Sequence, residues 1–188
     1  TTIGYIGSFT DYEGLDYLLK AGAALKDKYE GKFKILMIGD GVVLDSLKNL
    51  SRELKLDNVV HFTGRIEHND VLDYYSVIDV AVYPRKGTKV CEIVSPLKPL
   101  EAMAMEKTVI ASNVKALSEM VKNNETGLLH EKDNIGDLTT KIESVLIDKE
   151  KRDKLGLSAR EWVKENRTWK ATSEIVSNKY QELIKEVE

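Results

Sequence analysis

At 188 residues, 42% of them apolar, the chain is the size of one domain, or of one domain with a helical appendage, and can bury a core. Its net charge of −3, from 28 basic and 31 acidic side chains, leaves no basic excess to neutralise phosphates and argues against a nucleic-acid-binding domain. The single cysteine, Cys91, excludes an internal disulfide and fits a reducing, cytoplasmic compartment, while the three histidines (His61, His68, His130) lack metal-ligand spacing. No 18-residue apolar run is present to cross a membrane, and the opening TTIGYIGSF lacks the basic region of a signal peptide. A chain that begins directly in a strand-like segment reads as cut from something longer.

In chain order, Ile3–Gly7 reads as a buried strand ended by glycine and serine, and Leu15–Tyr29 as a helix with Leu15, Leu18, Leu19, Ala23 and Leu25 on one face. Phe33–Ile38 is a second strand stopped by Gly39-Asp40-Gly41, which we read as a turn into a helix marked by Leu44, Leu47, Leu50 and Leu54. Asn58–Phe62 is a third strand, with His61 packed at the core edge, leading into Thr63-Gly64-Arg65. A helix over Asp70–Ser76 precedes the fourth strand, Val77–Tyr83. The stretch Glu92 to Ser112 reads as a proline-punctuated loop, a helix over Leu100–Met105 and a fifth strand at Thr108–Ala111. Then follow a short helix (Val114–Val121), a turn into Leu128–His130, two helices within Ile135–Asn166 separated by Gly156, and a last amphipathic helix over Thr168–Val187. Met103, Met105 and Trp162 fall at helical spacing and read as core.

This β-α alternation, with near-continuous apolar strands, predicts an α/β fold: a doubly wound parallel sheet covered on both faces, with helices at its C-terminal end. The expected division is residues 1–166 as the Rossmann-like domain and 167–188 as a helix packing on it or towards a missing domain. In such sheets ligands sit beyond the carboxyl ends of the strands, at the switch point. Gly7-Ser8, Gly39-Asp40, Gly64-Arg65, Pro84-Arg85-Lys86 and Glu92–Lys98 should therefore share one rim. Arg65, Arg85, Lys86 and Lys98 would gather positive charge there, either to meet a diphosphate, with Arg85 bidentate, or as solvated basic turns. Pro99 suits a first helical turn, whose free amides and dipole favour an anion, while Glu101 places a carboxylate alongside. A phosphate next to a sugar would satisfy both; an ordinary proline-flanked connection is the alternative. Gly7-Ser8 lacks the later glycines of a dinucleotide fingerprint, which argues against a nicotinamide cofactor, and Ser8 has no His–Asp partners for hydrolysis.

The runs Tyr5-Ile-Gly-Ser, Glu13-Gly14-Leu15-Asp16, Phe62-Thr-Gly-Arg65, Asp79-Val-Ala-Val-Tyr-Pro-Arg85, Pro96-Leu-Lys-Pro-Leu-Glu101-Ala-Met-Ala, Val109-Ile-Ala-Ser112 and Glu125-Thr-Gly-Leu128 carry a family resemblance. The chain resembles the C-terminal half of the GT-B retaining glycosyltransferases of group 1, over nearly its whole length. The resemblance implies a Rossmann-like domain that binds a nucleotide diphospho-sugar, UDP-sugar before GDP-sugar, without a metal. It also implies an N-terminal acceptor-binding domain preceding it and a parent protein that is cytoplasmic, with peripheral association at the inner membrane face left open. By position, Glu101 resembles the second glutamate of the family's pair, which holds ribose hydroxyls. Pro96, Leu97 and Lys98 resemble the segment whose amides cradle the distal phosphate, and Gly64-Arg65-Ile66 the loop that receives the base. The first glutamate, which holds the donor sugar, should stand eight positions before Glu101, where Ile93 stands instead; Glu92 is the nearest candidate. The family's arginine and lysine after strand one are replaced by Gly7-Ser8 and Glu13-Gly14, so Arg85 and Lys98, with Lys86 as a further candidate, are expected to supply the missing cations. A nucleotide-sugar 2-epimerase half and a non-catalytic flavodoxin-like interaction domain remain as alternatives on the same architecture.

Overall fold

In the computed structural model, which describes residues 1–185, six strands form one sheet: β1 (Thr2–Ile6), β2 (Lys34–Ile38), β3 (Val60–Gly64), β4 (Val80–Tyr83), β5 (Thr108–Ser112) and β6 (Leu128–His130). Their spatial order is β3-β2-β1-β4-β5-β6, and every pairing is parallel. The connecting helices are α1 (Leu15–Lys26), α2 (Leu44–Glu53), α3 (Val71–Val77), α4 (Lys89–Ile93), α5 (Lys98–Ala104), α6 (Lys115–Ser118), α7 (Ile135–Leu146), α8 (Lys149–Asn166) and α9 (Trp169–Lys185). The doubly wound parallel sheet expected from the alternating pattern is the fold observed.

The central strands show why the pattern was readable. Every residue of β4 (VAVY) and of β5 (TVIAS) is buried, because helices cover both faces and leave no solvent side for polar residues. β3 lies at the sheet edge and is only half buried, so His61 is exposed rather than packed at the core edge. Two helix boundaries also depart from expectation. The break between α7 and α8 comes at Asp148, whose side chain accepts from the Lys151 amide (2.9 Å) and caps α8. Gly156 lies inside α8, where a Cβ would collide with the Glu106 carbonyl; the glycine lets α8 approach the start of β5. The loop expected from Glu92 onward contains instead a short helix, α4, reaching Ile93.

The terminal helix α9 has no buried residue, and Trp169, Ile175, Tyr180 and Ile184 are all well exposed. Val187, the expected end of this helix, lies outside the described residues. Among the described residues no helix is long and apolar enough to cross a membrane.

Candidate functional site

The strand order reverses between β1 and β4: the chain winds outward through β2 and β3 on one side and through β5 and β6 on the other. This divergence opens a crevice at the carboxyl ends of β1 and β4, where Gly7-Ser8 and Pro84-Arg85 emerge. A groove of about 740 Å³ runs over the ends of β1, β2 and β3 and is lined by Gly7, Ser8, Gly39, Asp40, Arg65 and Ile66, among others. A second groove of about 580 Å³ lies along α5 and includes Pro96, Leu97, Leu100, Glu101, Met120 and Trp169 in its walls. Lys98 links the two. Its stem crosses Gly7, where a Cβ would stand 2.7 Å from Lys98 Cδ, and its backbone opens α5 between Leu97 and Glu101.

The expected cations are held in ways the sequence does not announce. Arg85 is neither an open rim charge nor a solvated turn. It is buried, and its Nη2 and Nε donate to the two oxygens of Glu13 at 3.0 and 3.3 Å, while Nη1 donates to the Val94 carbonyl at 2.9 Å. Glu13 is itself 2% exposed. Burial pushes its carboxyl pKa up, but the Arg85 hydrogen bond and the Lys98 charge outweigh this and hold it below the usual glutamate value. Lys98 Nζ donates to Glu13 Oε1 (2.8 Å) and to the Tyr5 hydroxyl (2.7 Å), and lies 4.9 Å from the centre of the Tyr5 ring. Lys86 turns the other way, onto Asp11 (2.7 Å) and Asp16 (3.5 Å). The basic rim is thus largely balanced by Asp11, Glu13 and Asp16; Arg65, exposed on the groove, makes no ion pair among the described residues.

Three tyrosines fix the rest. The Tyr83 hydroxyl donates to the Lys98 carbonyl at 2.9 Å, and the Tyr75 hydroxyl lies 3.4 Å from both that carbonyl and Glu101 Oε2. Tyr5 donates to the Ser8 carbonyl at 3.0 Å. Burial raises the pKa of all three hydroxyls, so they stay neutral hydrogen-bonding posts. Glu101 is exposed on the second groove. Glu92 lines neither groove: one oxygen accepts from the Lys115 amide (2.7 Å), capping α6, and the other from Lys132 Nζ (2.6 Å). The amide and Lys132 hold its carboxyl below the usual pKa. Gly64, at φ +73°, ends β3 and accepts from the Gly39 amide through its carbonyl (3.0 Å). Among the described residues no group of three or more His, Cys, Asp or Glu side chains gathers where it could hold a metal ion.

The family described as "Glycosyl transferases group 1" matches residues 1–162 of this chain. The chain belongs to the group 1 glycosyltransferases. A GDP-mannose-dependent alpha-(1-6)-phosphatidylinositol monomannoside mannosyltransferase of Mycobacterium tuberculosis is 25% identical over 89% of the chain, which covers 44% of that relative. Among solved structures, the C-terminal domain of the group 1 protein LpcC from Francisella tularensis superimposes with a TM-score of 0.78 at 24% identity, covering 89% of this chain and 86% of that one. Anabaena Alr3699/HepE, solved with UDP and glucose, superimposes with a TM-score of 0.83 at 17% identity over 96% of this chain and 48% of its own. The chain spans less than half the length of curated relatives from Haemophilus influenzae, Mycobacterium tuberculosis and Methanocaldococcus jannaschii. Its architecture is that of the C-terminal half of a GT-B fold.

Within this glycosyltransferase half, the structure brings Gly7, Ser8, Arg65 and Ile66 together on one groove and Pro96, Leu97 and Glu101 on the other, with Lys98 between. It leaves Lys86 and Glu92 to one side and Arg85 underneath. Sequence reasoning missed Glu13 and the three tyrosines. A faint signal was present: by the resemblance, Glu13 stands where a lysine is expected, in the same chain that carries Arg85 and Lys98 as replacement cations.

Proposed function

We propose that this group 1 chain is the donor-binding half of a retaining glycosyltransferase, gripping a nucleotide diphospho-sugar across the β1/β4 crevice. One observation carries this reading: the Lys98 ammonium is fixed against Gly7 at the switch point, one helical turn from the exposed carboxylate of Glu101. A cation and a carboxylate at that spacing suit a diphosphate and the hydroxyls of the attached ribose. The base would lie in the groove walled by Arg65 and Ile66, with Gly7 and Ser8 beneath the phosphates. The donor we favour is a UDP-sugar, by analogy with the Anabaena protein; the GDP-mannose dependence of the mycobacterial relative makes guanine the competing base.

The reaction on this reading transfers a hexose-type sugar to an acceptor hydroxyl with retention at the anomeric carbon. What the chain must do is stabilise charge on the departing diphosphate. Lys98 and the Leu97 and Lys98 amides are placed for that, and a fixed donor of this kind contributes roughly 2.7–4 kcal/mol in other enzymes. Arg85 acts from below, through Glu13. Glu92 lines neither groove, so to hold the donor sugar's hydroxyls, as the family position suggests, it would have to exchange its pairing with Lys132 for the sugar. The acceptor wall belongs to an N-terminal domain, so this chain alone is expected to bind donor without turnover.

Calorimetric titration with UDP, GDP and ADP tests the reading. Saturable UDP binding that falls about tenfold or more in Lys98→Ala and Glu101→Ala supports it. No saturable binding of any diphosphonucleotide would leave an interaction module without chemistry. Release of epimerised free sugar by the parent protein would move the assignment to the 2-epimerases.

A further inference from the structure

The family resemblance implies a lysine where this chain carries Glu13, and a carboxylate beneath a diphosphate site is an unfavourable choice on charge alone. Its surroundings give it a use. Glu13, Arg85 and Lys98 form one connected cluster with a single positive charge in excess, and the three side chains differ sharply in exposure. The side chain of Glu13 is 3% and that of Arg85 6% exposed, against 23% for that of Lys98. The surplus charge therefore sits closest to solvent on the Lys98 side chain. Its ammonium has three donors. Two are spent on Glu13 Oε1 and the Tyr5 hydroxyl, which itself donates onward to the Ser8 carbonyl. The third has no hydrogen-bond partner among the described residues. The alkyl stem is pinned as well, since it lies where a Cβ on Gly7 would be.

We propose that Glu13, assisted by Tyr5, is a positioning residue of the donor site: it aims the Lys98 ammonium at the distal phosphate and commits Arg85 to holding the Val94 segment. This deepens the donor-site reading and rests on it. A free lysine carries several rotatable bonds and loses side-chain entropy when it grips a phosphate; here that loss is taken on folding. The role and plain electrostatics predict opposite signs. Removing the carboxylate raises the cluster's positive charge, so a purely electrostatic site would bind a diphosphate more tightly. A site that depends on aim would bind it more weakly.

The experiment is calorimetric titration of the 188-residue chain with UDP and with UMP, which lacks the distal phosphate, for the wild type, Glu13→Gln and Tyr5→Phe. Tyr5→Phe changes no charge at neutral pH and keeps the Glu13–Arg85 pair, so it carries the test should Glu13→Gln fail to fold. The expected result is UDP affinity roughly tenfold lower in each folded variant, with UMP affinity changed much less. UDP affinity unchanged or raised in a folded variant overturns the positioning role while leaving the donor site standing. Absence of saturable UDP binding in the wild type overturns the donor site and the positioning role with it.

Discussion

Glu13 and Arg85 pair across 72 residues of sequence in a place almost without water. Such a pair adds little net stability compared with an apolar substitute, yet removing one member leaves an unbalanced buried charge. Arg85→Ala should therefore destabilise the fold by about 3–5 kcal/mol, read as a shift in the denaturant midpoint with unchanged slope. A loss below 1 kcal/mol would mean that Lys98 alone neutralises Glu13. The pH dependence follows from the lowered pKa of Glu13. Because the folded value lies below the ordinary value of 4.5, its contribution is fully present above pH 4.5 and is lost as pH falls through the folded value. Acid unfolding monitored by circular dichroism should begin at higher pH in Lys98→Ala, where one of the charges holding that pKa down is gone. At this scale the sequence was least informative. A glutamate beside a glycine at a helix start reads as a solvated first-turn acid; only the distant arginine makes it a buried one. Glu101 and Lys98 could be singled out as candidates because their neighbours in the Pro96–Ala104 run carry the family pattern, whereas the tyrosines lie inside apolar strands and a helix, where a hydroxyl leaves no periodic trace.

Elements were more legible than residues, and the failures have physical causes. Strands buried on both faces announce themselves as unbroken apolar runs, so β1, β2, β4 and β5 could be read to within a few residues. Gly156 misled because glycine signals a break only when the backbone conformation, rather than close packing, demands it; here it admits the Glu106 carbonyl. The helix α9 shows the reverse. Its amphipathic pattern is plain in sequence, but its apolar side chains are exposed and none of its residues is buried. Ending the chain after Thr168 should thus move the melting temperature by no more than about 2 °C, since the segment removed covers little of the core. A drop of 8 °C or more in calorimetry would show that α9 stabilises this half in its own right.

For the molecule as a whole, Lys98 and the tyrosines stand between Gly7 on one groove and the Leu97–Glu101 wall of the other, and the ligand reading depends on both grooves being occupied together. The wall of the second groove includes Trp169, which is 86% exposed, while Trp162 is partly buried with Arg167 over its ring at 5.5 Å. These are the two tryptophans of the chain. Indole emission shifts to longer wavelength when mobile water surrounds the ring, so the molecule carries a built-in fluorophore on the groove that Glu101 also lines, and a second, partly buried one that does not line it. Seating a ribose against Glu101 should displace water from the first and move its emission to the blue, an optical change that vanishes in Trp169→Phe and persists in Trp162→Phe. A nucleotide bound without any such change would be lying outside that wall. Donor occupancy could then be followed in real time with no label attached.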